Sequence, residues 1–498
     1  MPDPANASPS VRAADGTSMV AIIGIAAVAF LIQLALFATG PWGSDDTIYW
    51  YDAGEWLRAF PFIGTDHWSL RHTLVLPLAL ARGLFGNGPT VLMLPTLLAA
   101  LATVAMLTVW VGRTSGLLAA ALATALVVTG PLLVTLSTTA LVDPIEAMYL
   151  VLALMLMHRE MQRQDTQATP RWPALLLAGI CAGLALLSRE TAAFAVAAVG
   201  LLFLCGFGMH RLWYLITAAG FALVLGAETL LYWITTGNPL YRFGIASNHD
   251  LLIDRWVDQG AGVPLLHPMI DPITMVLANH NFGVIFLLGV PLTIWLLRRP
   301  DLSRATRTQV IMLATVALVW SLIAGYLFSK LVLIPRYFLP PAIACSALAG
   351  IALARLWRGG HQRLAASGAL LMIVANLVGS SVDNHSFMFA EQELVRQAHQ
   401  GATLHTDAET RRRAMLMLQW DGASARVPET PPHSGDIVLE NLMRPLAPSH
   451  PGWTLIARIP PPPTLVQRGF AMLGIPLPAW TDRILASGHP GVTLYRVN

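Results

Sequence analysis

The sequence predicts a mainly α, polytopic transmembrane helical bundle of roughly 11 to 13 helices, at about 20 residues per crossing. A small α/β or β domain is expected at its carboxyl end. Three observations carry this reading. Of 498 residues, 55% are hydrophobic and 12% are charged, about half the charged share of a soluble domain. Apolar stretches long enough to span a bilayer recur from Met19 to about Ser381. Beyond Ser381 charge, prolines and short alternating runs take over. The net charge of +3 is spread along the loops, which excludes a nucleic-acid surface.

The first apolar stretch, Met19–Ala38, reads as a retained helix, because the residues before it lack the basic front of a secretory signal. Lys330 is the only lysine, so orientation is read from arginine. Arg159, Arg163 and Arg171 form one basic loop, Arg211 a second, Arg298, Arg299, Arg304 and Arg307 a third, and Arg355, Arg358 and Arg363 a fourth. All four are assigned to the cytoplasm. The connections at 40–71, Asp143, Ser188–Glu190, 234–272 and Lys330–Arg336 then lie outside, as does the tail. Two segments leave the helix count open: His72–Gly86 is short for a span, and 115–142 is broken by Gly130-Pro131. Either choice puts the amino terminus inside and the carboxyl end outside. Scarce lysine and abundant alanine suggest a bacterial source, hence an inner-membrane protein with a periplasmic tail. The domains are expected at 1–381 and 382–498, with strands at Asp436–Glu440, Trp453–Arg458 and Val492–Val497. Pro460–Pro463 reads as a stiff polyproline spacer.

Cys181, Cys205 and Cys345 lie in apolar segments without metal-ligand spacing and read as small buried hydrophobes. His249, His267 and His280 match no compact ligand motif. No obligatory metal or other cofactor is expected. Leu251–Val257 reads as an amphipathic run on the outer membrane surface. Glu228, within an apolar helix, is expected to be paired or protonated.

The first external loop holds the most informative segment, Gly43-Ser44-Asp45-Asp46-Thr47-Ile48-Tyr49-Trp50-Tyr51-Asp52. Two readings stand for its paired acids. A carboxylate just above the bilayer can act as general base on a hydroxyl or amine acceptor; alternatively, Ser44 or Asp45 caps a helix beginning near Asp46. Asp143, Arg189, Glu190, Lys330 and Arg336 sit at the outer ends of helices, on the side assigned to Asp45 and Asp46. Each alone could be an interfacial anchor. Charges beside membrane helices are costly enough to point to function, and cations gathered beside carboxylates suit a reaction that releases a phosphate. Arg71-His72 could join them.

In order along the chain, these motifs resemble the GT-C superfamily, in particular the protein O-mannosyltransferase and aminoarabinose transferase group of the glycosyltransferase 39 type. Asp45, Asp46 and Tyr49 fit the acid pair that opens the family's first external loop and the tyrosine after it. Arg71-His72 through Leu84-Phe85-Gly86 is similar to its next element, although the family's Pro-Pro is missing. Asp143-Pro144 resembles its Asp-Pro helix start, Gly183–Glu190 its Gly-Leu-Ala-x-Leu-x-Lys/Arg turn, and Pro335–Pro340 its Pro-Arg-Tyr-x-x-Pro element. The resemblance implies a transmembrane core with external juxtamembrane helices. It also implies a polyprenyl-phosphate-linked sugar donor, a lipid, glycan or protein acceptor, and inversion at the anomeric carbon. In that scheme Asp45 is the general base, Asp46 a supporting acid, and Asp143 orients the acceptor or its base. Arg71, His72, Arg189, Lys330 and Arg336 face the donor phosphate, and Tyr49, Glu190 and Tyr337 line the substrate. The competing classes are a membrane transporter, which would use these charges as a pathway, and a non-catalytic scaffold on the same fold.

Overall fold

A computed structural model of the chain describes residues 16–249, 270–327, 334–383, 388–444, 452–486 and 488–498. The helices in chain order are α1 (Gly16–Phe37), α2 (Asp45–Arg58), α3 (His72–Phe85), α4 (Pro89–Ser115), α5 (Leu117–Val128), α6 (Pro131–Leu136), α7 (Asp143–Asp165) and α8 (Trp172–Ser188). There follow α9 (Ala193–Leu204), α10 (Arg211–Thr236), α11 (Tyr241–His249), α12 (Asp271–Ala278), α13 (Ile285–Leu297), α14 (Arg304–Tyr326), α15 (Leu339–Arg358) and α16 (Gln362–Asp383). The tail adds α17 (Phe389–His399), β1 (Leu404–His405), α18 (Ala408–Trp420), β2 (Ile437–Asn441), β3 (Trp453–Ile459), α19 (Leu465–Met472), α20 (Ala479–Leu485) and β4 (Val492–Val497).

Six of these helical stretches are long and apolar enough to cross a membrane: Gly16–Phe37, Pro89–Ser115, Arg211–Thr236, Arg304–Tyr326, Pro335–Arg358 and Gln362–Val382. Shorter apolar helices, including His72–Phe85, Leu117–Val128, Trp172–Ser188 and Ile285–Leu297, accompany them. The chain is a multi-pass, mainly α membrane protein with a small α/β tail. The two segments that left the count open have physical reasons to be short. At about 1.5 Å per residue, the 14 residues of α3 reach only ~21 Å. In the second, Pro131 starts α6 afresh after α5 ends, because proline has no N–H to continue the ladder.

The chain forms two compact units. One comprises Met1–Gln33, Leu98–Leu133 and Val142–Asn376. In it α8 and α10 meet through small residues: a Cβ on Gly179 would stand 1.8 Å from the Thr217 carbonyl oxygen, and one on Gly220 2.1 Å from that of Leu176. Such close backbone approach is how helices associate where lipid supplies no hydrophobic drive. Cys181 and Cys345 are buried as expected, whereas Cys205, at the end of α9, is exposed.

The other unit comprises Leu34–Leu97, Val134–Leu141 and Leu377–Asn498, so the tail shares it with the first loop. Its sheet has the order β1-β2-β4-β3, parallel between β1 and β2 and antiparallel elsewhere. All three predicted strands are present, the first one residue later than expected. Ala390, Leu394, Leu404, Ala414, Leu418, Leu439 and Val492 build the core of the tail.

Candidate active site

In the tail-bearing unit, the acidic pair divides into two different environments. Asp45 begins α2 and is half-buried. Asp46 is completely buried, and its carboxylate accepts from the backbone N–H of Trp42 (2.6 Å) and of Ser44 (2.8 Å) and from the Thr139 hydroxyl (2.9 Å). Burial pushes the Asp46 carboxyl up from the ordinary range, and the three donors pull it partly back. Ser44 occupies the N-cap position, yet its side chain makes no capping hydrogen bond. The local sequence explains why: Gly43, at φ +60°, turns the chain so that the loop's N–H groups point at Asp46.

A frame of threonines and tail residues holds this loop. Thr39 Oγ1 pairs with Thr138 Oγ1 at 3.1 Å, and Thr96 donates to the Thr139 carbonyl at 2.8 Å. From the tail, Gln419 accepts from the Tyr51 hydroxyl at 3.0 Å, and the Trp420 ring meets Trp50 edge-on at 5.1 Å. The guanidinium of Arg82 lies 4.1 Å from the centre of the Trp50 ring, a cation–π contact. Tyr49 is buried, Arg71 is buried at the start of α3, and His72 meets Trp56 edge-on at 5.7 Å. One turn and a half along α2, Asp52 is buried, and Oδ2 accepts no hydrogen bond among the described residues. Burial first, then the nearby Asp66 and Glu55 charges, push its carboxyl up to about 7.

The second unit carries the other predicted residues. Asp143, completely buried, starts α7 with Pro144 behind it, and Arg189 Nη1 donates to its Oδ1. Asp143 Oδ2 is buried and accepts no hydrogen bond among the described residues. Arg189 ends α8 in an extended conformation, and its guanidinium lies 4.1 Å from the centre of the Tyr337 ring. The Tyr337 carbonyl in turn accepts from Trp320 Nε1 at 2.7 Å. The turn after α8 alternates its partners. Arg189 and Thr191 face α7, the latter donating to Glu146 at 2.8 Å, whereas Glu190 pairs with Arg242 at 2.8 Å. Arg242, buried in α11, also pairs with Glu228 at 2.9 Å, so of the two states expected for that acid the paired one is present. Arg336 lies half-buried in the turn Pro335–Phe338. Lys330, His267 and Leu251–Val257 lie outside the described residues, as does the side chain of His249.

Sequence reasoning therefore brought together Asp143, Arg189 and Tyr337 without foreseeing their contact, and it missed Thr139, Glu146, Thr191 and Arg242. Glu146 carried a signal, since it stands one helical turn after Asp143 and so shares its face. Arg242 was legible as the first cation after the helix holding Glu228. Thr139 carried none, because nothing local distinguishes it from the threonines around it. An apolar cavity of about 240 Å³ opens among α7–α10 of this unit, lined by Leu150, Met157, Val199, Phe203 and Phe221 among others.

Residues 82–234 match the dolichyl-phosphate-mannose-protein mannosyltransferase family. No curated protein matches the chain in sequence. In fold it is similar to ArnT from Cupriavidus metallidurans bound to undecaprenyl phosphate, with a TM-score of 0.56 at 12% identity, over 97% of this chain and 98% of that one. The apo state of the same protein gives a TM-score of 0.51 at 14% identity, over 84% and 92%. The archaeal oligosaccharyltransferase AglB from Archaeoglobus fulgidus, in complex with an inhibitory peptide and a dolichol-phosphate, gives 0.50 at 13% identity, over 82% of this chain and 63% of that one. The sequence match covers residues 82–234, and the likeness in fold to ArnT extends over nearly the whole chain.

Proposed function

We propose that the protein is an inverting glycosyltransferase that moves a sugar from a polyprenyl phosphate to a lipid, glycan or protein acceptor on the periplasmic face of a bacterial inner membrane. The observation that carries this reading is the division of labour at Asp45-Asp46. Asp46 is fully engaged in holding the loop, while Asp45 begins α2 half-exposed. Asp45 is the general base: it takes the proton of the acceptor hydroxyl or amine as that atom attacks the anomeric carbon. The bond from that carbon to the phosphate oxygen breaks, and polyprenyl phosphate leaves with the electron pair. Attack opposite the leaving group inverts the configuration.

A developing phosphate dianion needs cations. Arg336 is the first choice for this role, and Arg71, His72 and Lys330 are further candidates. Arg189 is already matched by Asp143 and stacked on Tyr337, so its role is to fix Asp143, whose Oδ2 is left to orient the acceptor. Tyr49, Glu190 and Tyr337 shape the substrate site. The apolar cavity among α7–α10 suits a polyprenyl chain, and the ArnT relative bound to undecaprenyl phosphate supports the donor class. No step in this scheme requires a metal.

The test is release of polyprenyl phosphate in lipid nanodiscs from a panel of polyprenyl-phosphate sugars, with envelope extracts as acceptors. Release that requires both a donor and Asp45, lost in Asp45→Asn, is expected. Full release by a folded Asp45→Asn variant would sink the assignment of the base, and no release from any donor would turn attention to transport or scaffolding.

A further inference from the structure

The tail contains a helical hairpin, Leu465–Leu485, closed by hydrogen bonds between its own two helices. Thr464 caps α19 in a reciprocal capping box with Gln467, and its hydroxyl donates to the Leu485 carbonyl at 2.8 Å. Gln467 Nε2 donates to Asp482 Oδ1 at 2.8 Å, which closes the two helices on each other. Five large apolar side chains remain outside: Met472 is 85% exposed, Leu473 74%, Trp480 68%, Ile484 64% and Ile475 48%. A water-facing domain rarely leaves so many large apolar side chains uncovered on one short segment.

The hairpin's place in the chain says what covers it. The backbone N–H of Val466 donates to the Ser381 hydroxyl at 3.1 Å, and Ser381 stands at the end of the membrane-spanning stretch Gln362–Val382. From Val466 to Met472 is about six helical rises, roughly 9 Å. That is comparable to the interfacial layer of a bilayer, which adds about 5–8 Å to each side of the hydrocarbon core. The exposed apolar residues therefore stand within reach of the membrane that α16 has just left. Trp480 is the residue type that settles at this boundary. Arg468 and Arg483, both exposed, supply cations for anionic headgroups.

We propose that the hairpin Leu465–Leu485 is a monotopic anchor that inserts Met472, Leu473, Ile475, Trp480 and Ile484 into the leaflet reached by the carboxyl end of α16. It fixes the tail to the bilayer at a second point besides the chain itself. The Pro460–Pro463 run then serves as a stiff lead from β3 to the membrane surface.

Single nitroxide labels at Met472→Cys, Trp480→Cys and Ile484→Cys, in the full chain with Cys205→Ala, test this in nanodiscs containing phosphatidylglycerol. Glu429→Cys, in an exposed charged stretch of the same tail, gives the aqueous reference. The ratio of collisions with oxygen to collisions with a water-soluble nickel chelate is expected to be several-fold higher at the three hairpin sites than at the reference. Equal ratios would place the face in water and overturn the proposal. Protection from both reagents would show a protein partner, such as a second copy, over the hairpin, and would overturn it equally.

Discussion

The backbone of Arg413 fills the space beside the α-carbon of Gly43: a Cβ built on Gly43 would stand 2.2 Å from the Arg413 carbonyl oxygen. Gly43 also has φ +60°, a conformation that side chains resist. Helix α18 of the tail thus lies directly against the turn that presents Asp45 and Asp46. Gly43→Ala is expected to push the two apart at a cost of about 1–3 kcal/mol. A melting temperature lowered by several degrees, together with at least a tenfold loss of transfer, would be read in the same purified sample.

The two acids should respond differently to amidation. Asp46→Asn presents an NH2 to a site that now receives three donors, and is expected to destabilise the fold by about 1–3 kcal/mol. Asp45→Asn is expected to leave stability within about 0.5 kcal/mol while lowering turnover by about 10²–10⁴-fold. Denaturation and turnover measured side by side check the split; equal destabilisation by both variants would contradict it.

Asp52 makes stability depend on pH. Its carboxyl is raised to about 7 in the folded chain by burial and by Asp66 and Glu55, against about 3.9 when unfolded. Between those values the folded state binds the extra proton, so this group's contribution falls as pH rises from about 4 to about 7. Asp52→Asn should remove that dependence and raise the melting temperature at pH 8 relative to the parent. A parent melting curve whose pH slope over this window is unchanged in Asp52→Asn would contradict the assignment.

The buried pair Asp143–Arg189 should show strong coupling. Breaking it from either side leaves an uncompensated charge, at about 3–5 kcal/mol. Asp143→Asn and Arg189→Gln together should recover part of the stability lost in either single variant. A double-mutant cycle that is additive would mean the pair carries no mutual interaction.

The fold was legible where hydrophobic length speaks for itself, as in α1, α4, α10 and α14–α16. The break at Gly130-Pro131 and the strand Val492–Val497 were visible from local chemistry alone. The site was legible residue by residue but not in its pairings, because pairing is long-range. Nothing near Asp46 in sequence reports Thr139, and nothing near Gly43 reports Arg413. Ser44 misled in the opposite sense: it has the residue type of a cap, but the carboxylate of Asp46, two residues on, collects the loop's N–H groups instead.

Strand β4 is synthesised after both of its neighbours, yet it stands between them in the sheet. Until Val492–Val497 emerges, β2 and β3 have no partner in common, and the tail that braces Gly43 and Trp50 is incomplete. During biogenesis the spanning helices can therefore be inserted well before the acidic loop is held in its final form.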